Sequence, residues 1–178
     1  LKVTTALGDE DQNGEFEKLF AYGARSFSIW DQNVNLLFDS GDDFGKISAA
    51  IMGDNFNAAH TKNKGDNRSD DKGGEPEAID VGEIAGRTYA FIAQERAGDL
   101  FVYDITNPFK TAFVTHYNNR DFTVDYEMDD DLTDPCDSSE DMDCTNVNRA
   151  GDLGPESIKF ISAIDSPTDK PLLIIGNE

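Results

Sequence analysis

The feature that most constrains this fold is a repeated pattern of short β-strands. Residues 74–95 align with residues 153–178, which brings Pro76-Glu77 opposite Pro155-Glu156. Within both stretches apolar residues recur at every second position, and Gly, Asp, Asn and Pro separate the runs. Such short turns leave room for antiparallel hairpins but not for helical crossovers. The pattern therefore predicts an all-β protein built from similar units.

The units are typical of β-propeller blades. An aromatic-Asp pair ends a strand in two of them, Trp30-Asp31 in SFSIWD and Tyr103-Asp104 in LFVYDI, and blades carry four strands each. We expect strands at 2–7 and 18–24 in the first unit. The sequence predicts a partial β-propeller of about two and a half four-stranded antiparallel blades, with units at 1–41, 75–118 and 154–178 and long loop insertions at 42–74 and 119–153. An ordinary β-sandwich is the alternative.

Two and a half blades do not close a ring, because propellers have roughly four to eight blades. Residues 1–178 are therefore expected to form the carboxy-terminal part of a single larger propeller domain. Unpaired strand edges at both ends would need cover. The missing blades are expected from the same polypeptide or from another chain.

The formal net charge of −21 restricts the partners of the chain. A surface this acidic repels nucleic acid, and no cluster of Lys and Arg offsets it. The longest aliphatic run, Leu172 to Ile175, is far shorter than the roughly 20 residues that span a bilayer. The carboxylates either solvate the surface or converge on divalent cations, and both interpretations remain open.

The segment GDEDQNGEFEKL (8–19) has the spacing of a calcium loop. Its oxygen-bearing side chains are Asp9, Asp11, Asn13 and Glu17. Alternating oxygen ligands around the turn that Gly14 permits can wrap a hard cation. An EF-hand would need Glu where Phe20 stands, so the pattern favours a shorter calcium loop within a hairpin. A polar turn without a metal is the alternative.

The segment DNRSDDKGGEPE (66–77) is the densest group of candidate functional residues. It leads from the first insertion into an expected innermost strand, near the propeller channel. The candidates are Arg68, Asp70, Asp71, Lys72, Glu75 and Glu77, with Glu156 at the matching position of the next unit. The carboxylates could bind a metal and the cations an anion such as phosphate, or the group could be a structural ion-pair network. Glu95-Arg96 and Asn119-Arg120-Asp121 are expected to be solvated turn charges.

Cys136 and Cys144 are the two cysteines of the chain and lie in an acidic stretch. No further Cys or nearby His completes a zinc site, and the flanking acids would raise the pKa of either thiol. A disulfide is the favoured interpretation, and it implies an oxidising compartment. The protein is thus expected outside the cytoplasm, at the cell surface, in the extracellular space or in the periplasm.

Several motifs, among them RSFSIWD, DNRSDDKGGEPE, RTYAFIAQER, LFVYDITNP and GDLGPESIKFI, together resemble the choice-of-anchor I family. The resemblance implies a secreted or surface-attached β-propeller, similar also to the mesenchyme-specific cell surface glycoprotein. Some members are named alkaline phosphatases. Two functions follow: a calcium-stabilised module that binds a protein or glycan, or a calcium-dependent phosphoesterase with its site at the channel. No nucleophile is identified for the second, and fold does not determine function.

Overall fold

The computed structural model describes residues 2–23, 25–128 and 146–177. Its regular structure is mostly antiparallel β-sheet with one short α-helix. The all-β prediction is therefore confirmed. Cys136 and Cys144 lie outside the described residues, and their disulfide stays a prediction.

A four-stranded antiparallel sheet forms the centre of the fold. Its strands neighbour one another in chain order: β3 (Pro76–Ile84), β4 (Arg87–Gln94), β5 (Asp99–Asp104) and β6 (Ala112–Tyr117). A two-residue turn joins β3 to β4, and both of its residues, Ala85 and Gly86, have positive φ angles of 53° and 76°. Two successive positive φ angles are what a type I′ hairpin turn requires. The sheet is thus a simple meander with tight connections.

Two smaller hairpins flank this sheet. They pair β1 (Ser28–Trp30) with β2 (Leu36–Asp39), and β7 (Pro155–Ile161) with β8 (Leu172–Asn177). The β7–β8 hairpin repeats an irregularity of β3–β4, because the register shifts between Pro155 and Ser157 just as it does between Pro76 and Ala78. The aligned Pro-Glu dipeptides therefore mark the same backbone feature in both hairpins.

The main apolar core lies on one face of the four-stranded sheet, under β1, β2 and the helix α1 (Asp43–Met52). Its buried members are Phe27, Phe44, Ala90, Ile92, Phe101 and Tyr103. The rings of Phe44 and Phe101 are 4.5 Å apart between centroids, and those of Phe27 and Tyr103 are 4.9 Å apart at a steep angle. Aromatic pairs at such distances add to the stabilisation from burial. The helix of the first insertion thus completes the core.

The opposite face of the sheet packs against β7. The Phe160 ring stacks on Phe91 with centroids 5.5 Å apart. Gly82 makes room for this ring, since a Cβ at that position would lie 2.3 Å from it. Asp80 also joins the layers: its carboxylate accepts the Phe160 backbone N–H at 2.7 Å and lies 3.1 Å from Lys159 Nζ.

The packing of β7 on β3 is expected to weaken in acid, because it includes contacts of the Asp80 carboxylate. The Phe160 N–H is the largest cause that holds the pKa of Asp80 below the usual 3.8. Because the pKa is lowered, the stabilisation that ionised Asp80 contributes is complete above pH 3.8. It is lost as the pH falls through the pKa of Asp80 in the folded protein. We expect Asp80→Asn to lower the melting temperature at neutral pH, and the gap to the wild type to narrow in acid. Thermal unfolding over a pH series measures this, and a constant gap would contradict it.

The first unit is less regular than the sequence predicts. In place of strands at 2–7 and 18–24, the structure has one isolated bridge between Val3 and Ala21. Most residues of 2–23 are exposed, including Leu19 and Phe20. A two-stranded ribbon that buries no apolar face is only marginally stable. Alternation of residue types indicated strands there, but the segment lacks a surface to pack against.

Candidate functional site

The first insertion enters β3 through a constrained turn. A Cβ at Gly74 would lie 2.4 Å from the Gln94 side-chain oxygen, and Glu75 has a φ of +55°. Beyond the strands, Glu95 N donates to the Glu75 carbonyl at 2.8 Å, and Arg96 N donates to the Gly74 carbonyl at 3.1 Å. Backbone pairing thus brings Glu75 and Glu95 side by side.

The Glu75 carboxylate, 5% exposed, is surrounded by cations. Arg68 Nη2 donates to one oxygen, and Lys72 Nζ lies 2.7 Å from the other. Arg96 Nε is 3.6 Å from the first oxygen. Buried carboxylates need such partners, because an unpaired charge in the interior is costly.

The Glu95 carboxylate, 4% exposed, is paired with Arg96 Nη1 at 2.9 Å. The same Nη1 lies 3.0 Å from Nδ1 of the buried His60. The same Nη1 is also 3.3 Å from Nε2, so the guanidinium contacts the imidazole ring as a whole. Arg96 therefore bridges the buried Glu95 carboxylate and the buried His60.

A third carboxylate, Glu77, is exposed at the edge of this group. One carboxylate oxygen from each of Glu75, Glu77 and Glu95 lies within 4.8 Å of the others. We call these three acids, with Arg68, Lys72, Arg96 and His60, the β3 cluster. A cavity of about 210 Å³ opens beside it, lined by Gly23, Ser26, Lys72, Glu75, Pro76 and Glu77. The two buried acids are already neutralised by cations, which suits a structural ion-pair network better than a metal site.

The other residues predicted from 66–77 lie around the β3 cluster. Asp71 pairs with Lys2 Nζ at 3.1 Å and with Arg68 Nη1 at 3.6 Å, and the hydrogen bond from Lys2 is the main cause that lowers the pKa of Asp71. Asp70 is exposed, and its carbonyl accepts the Lys2 backbone N–H. Glu156 is exposed on β7 and is not one of the three neighbouring acids.

Two of the charged side chains that follow strands are buried, although the sequence predicted them to be solvated. Glu95-Arg96 and Asn119-Arg120-Asp121 were expected to be solvated turn charges, but Glu95 is 3% exposed and Arg120 is 7% exposed. The expectation is wrong for these two side chains. The aligned stretches 74–95 and 153–178 both end on Glu, and this repetition is a signal that could have set Glu95 apart from an ordinary turn residue.

The second insertion contacts the first through Arg120. Its Nε donates to Asn63 Oδ1 at 2.7 Å, and its Nη2 donates to the Lys62 carbonyl at 2.7 Å and to Tyr126 Oη at 2.8 Å. The guanidinium also lies 4.8 Å from the centre of the Phe122 ring. Burial lowers the pKa of this guanidinium from its usual value. The two insertions are therefore in direct contact through Arg120.

The acidic loop, residues 9–17, forms a second candidate site. One carboxylate oxygen from each of Asp9, Asp11 and Glu17 lies within 4.8 Å of the others. Asn13 belongs to the same turn: its backbone N–H donates to Asp9 Oδ1 at 3.0 Å, and its side-chain oxygen accepts the Glu15 N–H at 2.7 Å. The structure thus brings three of the four predicted calcium ligands together, with Asn13 beside them.

Comparison with known proteins agrees with the motifs of the sequence. The choice-of-anchor I domain matches residues 1–108, more than half of the chain. The chain belongs to the choice-of-anchor I family, which indicates association with a cell surface or the extracellular space. It is also similar to Gigasin-3a of Magallana gigas, with 25% identity over 98% of this chain and 59% of that protein.

The chain thus spans about three fifths of the length of the curated relative that it matches. No solved structure matches it. Among the described residues, no helix is both long enough and apolar enough to cross a bilayer.

Proposed function

We propose that this chain is part of a surface-associated or extracellular β-propeller that binds calcium in the acidic loop and serves as a binding or scaffold module. The observation that carries the proposal is the convergence of Asp9, Asp11 and Glu17 within one exposed turn. Oxygen-only ligand sets of this kind suit Ca²⁺. The cation would offset repulsion among these acids in a strongly acidic protein.

The four-stranded meander β3–β6 supports the propeller arrangement, because it has the strand order of a single blade. The β7–β8 hairpin copies β3–β4 down to its register shift, as the first half of a following blade would. The β1–β2 hairpin packs on the opposite face of the meander, where the last half of a preceding blade would lie.

Uncovered apolar side chains support the need for partner strands. Ile79 and Val81 on β3 are 55% and 48% exposed, and Ile174 on β8 is 55% exposed. In a ring of blades these side chains would pack against neighbouring sheets. Further blades from the same polypeptide or from another chain are the partners that fit, with a protein or glycan as the ligand of the whole assembly.

The ion pairs of the β3 cluster favour the scaffold role over a calcium-dependent phosphoesterase. Hydrolysis assisted by a metal needs carboxylates that are available to coordinate the ion and to polarise water. Glu75 and Glu95 instead engage Arg68, Lys72 and Arg96. The carboxylates are therefore best explained as anchors for the inserted segment.

The calcium proposal predicts a stability increase that depends on Glu17. We expect Ca²⁺ to raise the melting temperature of the full-length protein, since a ligand at about 100 times its Kd stabilises by about 2.7 kcal/mol. Glu17→Gln should abolish most of this increase. Glu15→Gln, which removes an exposed acid outside the converging set, should leave it intact.

An unchanged melting temperature of the wild type with Ca²⁺ would contradict the calcium site. In the same samples, a generic phosphomonoester substrate separates the two functions. We expect the protein to show no chelator-sensitive hydrolysis of this phosphomonoester. Chelator-sensitive turnover by the full-length protein would favour the phosphoesterase.

A further inference from the structure

The tip of the acidic loop carries a reactive dipeptide. Asn13 is the one asparagine of the sequence that a glycine follows. Both residues are exposed, and Gly14 has a φ of +91° with no heavy atom near the position of a Cβ. A glycine after asparagine offers its amide nitrogen without steric shielding, so the nitrogen can attack the preceding side chain and close a five-membered ring.

The loop places groups that assist this reaction beside both reacting atoms. Asp9 Oδ2 accepts the Gly14 N–H at 2.9 Å, so a carboxylate contacts the proton of the attacking nitrogen. Glu15 N–H donates to Asn13 Oδ1 at 2.7 Å, where negative charge develops during attack. A base at the nucleophile and a donor at the developing oxyanion are the two standard aids to acyl transfer.

We propose that Asn13 is a site of self-catalysed deamidation. The Gly14 nitrogen bonds to Cγ of Asn13 while its proton passes to the Asp9 carboxylate. The Cγ–Nδ2 bond then breaks, and the side-chain nitrogen takes that proton and leaves as ammonia. Water opens the resulting succinimide at either carbonyl and yields aspartate or isoaspartate at position 13. Water is the only co-reactant, and no oxidation or reduction occurs.

The reaction changes the chemistry of the acidic loop. Aspartate at position 13 adds a fourth carboxylate beside Asp9, Asp11 and Glu17. Isoaspartate instead lengthens the main chain by one carbon and disrupts the turn. The loop would thus change its charge and shape with age.

Peptide mapping by mass spectrometry tests the proposal on the full-length protein in mildly alkaline, calcium-free buffer. We expect conversion of Asn13 with release of ammonia, several-fold faster than in an unstructured synthetic peptide of residues 5–20. Asn33 and Asn119, which precede bulkier residues, serve as internal references. Conversion no faster than in the peptide, or no faster than at the references, would overturn the proposal.

Two variants that each remove one negative charge distinguish a role of Asp9 as the base from a general electrostatic effect on the reaction. Asp9→Asn removes the group that contacts the Gly14 N–H, and we expect it to slow conversion several-fold. Asp11→Asn removes an acid whose contacts are to Asn13 rather than to the Gly14 nitrogen, and it should have a smaller effect. Equal slowing would contradict a role for Asp9 as the base.

The same measurement with added Ca²⁺ rests on the proposed function. If Ca²⁺ occupies the loop, it engages Asp9 and withdraws the base, so conversion of Asn13 should slow. Conversion at the same rate with Ca²⁺ would overturn the calcium site, whereas the comparisons with the peptide and the variants decide on deamidation independently.

Discussion

Replacement of Glu75 by Gln is expected to lower the free energy of unfolding by about 3 kcal/mol, because one partner of a buried ion-pair network is removed. Arg68, only 19% exposed at its side chain, would lose the carboxylate that Nη2 contacts and keep only the longer pairing of Nη1 with Asp71 at 3.6 Å, while it stays largely inside the protein. Lys72 is 40% exposed and can recover solvation, so most of the cost arises at Arg68. Urea denaturation of the two proteins measures the difference.

Glu77→Gln is the matched control, since Glu77 lies two residues further along the chain and is exposed. We expect a change within about 0.5 kcal/mol for this variant. The sign of the Glu75 effect also separates two interpretations of the β3 cluster. In an empty metal site, loss of one acid would relieve repulsion and stabilise the protein, whereas in an ion-pair network it destabilises. A stabilised Glu75→Gln variant would therefore contradict the structural role.

The sequence predicted the strands of the repeated units well, because alternation and turn residues act over a few neighbouring positions. The meander β3–β6 and the hairpin β7–β8 fall within residues 75–118 and 154–178, where alternation predicted antiparallel strands. At 2–7 and 18–24 the alternation of residue types also predicted strands, but the apolar side chains there are not buried in a core. The structure has one isolated bridge in their place. Local pattern is thus a reliable guide only where tertiary packing agrees with it.

The composition of the β3 cluster was only partly predictable. Arg68, Lys72, Glu75 and Glu77 lie within one segment, so their proximity could be read from the sequence. Glu95 and Arg96 join them through the pairing of β3 with β4, and His60 joins from within the insertion. Those contacts depend on how the insertion folds over the strand ends, which carries no periodic signal.

Arg120 escaped prediction for a different reason. Several of its partners are backbone carbonyls, among them those of Ala59 and Lys62. Because every residue has a backbone carbonyl, the residue types do not indicate these contacts. An arginine that binds main-chain oxygens cannot be distinguished in the sequence from a solvated one. Its burial between the two insertions is a property that only the structure shows.

Arg120→Met is expected to lower the free energy of unfolding by about 3 to 5 kcal/mol, because the variant keeps the apolar stem and loses every donor. The buried Ala59 carbonyl, the half-buried Lys62 carbonyl and the buried Tyr126 hydroxyl would lose a charged partner that water cannot readily replace. Arg149→Met, at an exposed position of the second insertion, is the control and should change stability within about 0.5 kcal/mol. Urea denaturation measures both, and limited proteolysis should show new cleavage between residues 53 and 74 in the Arg120 variant alone. Equal effects of the two substitutions would mean that Arg120 does not hold the insertions together.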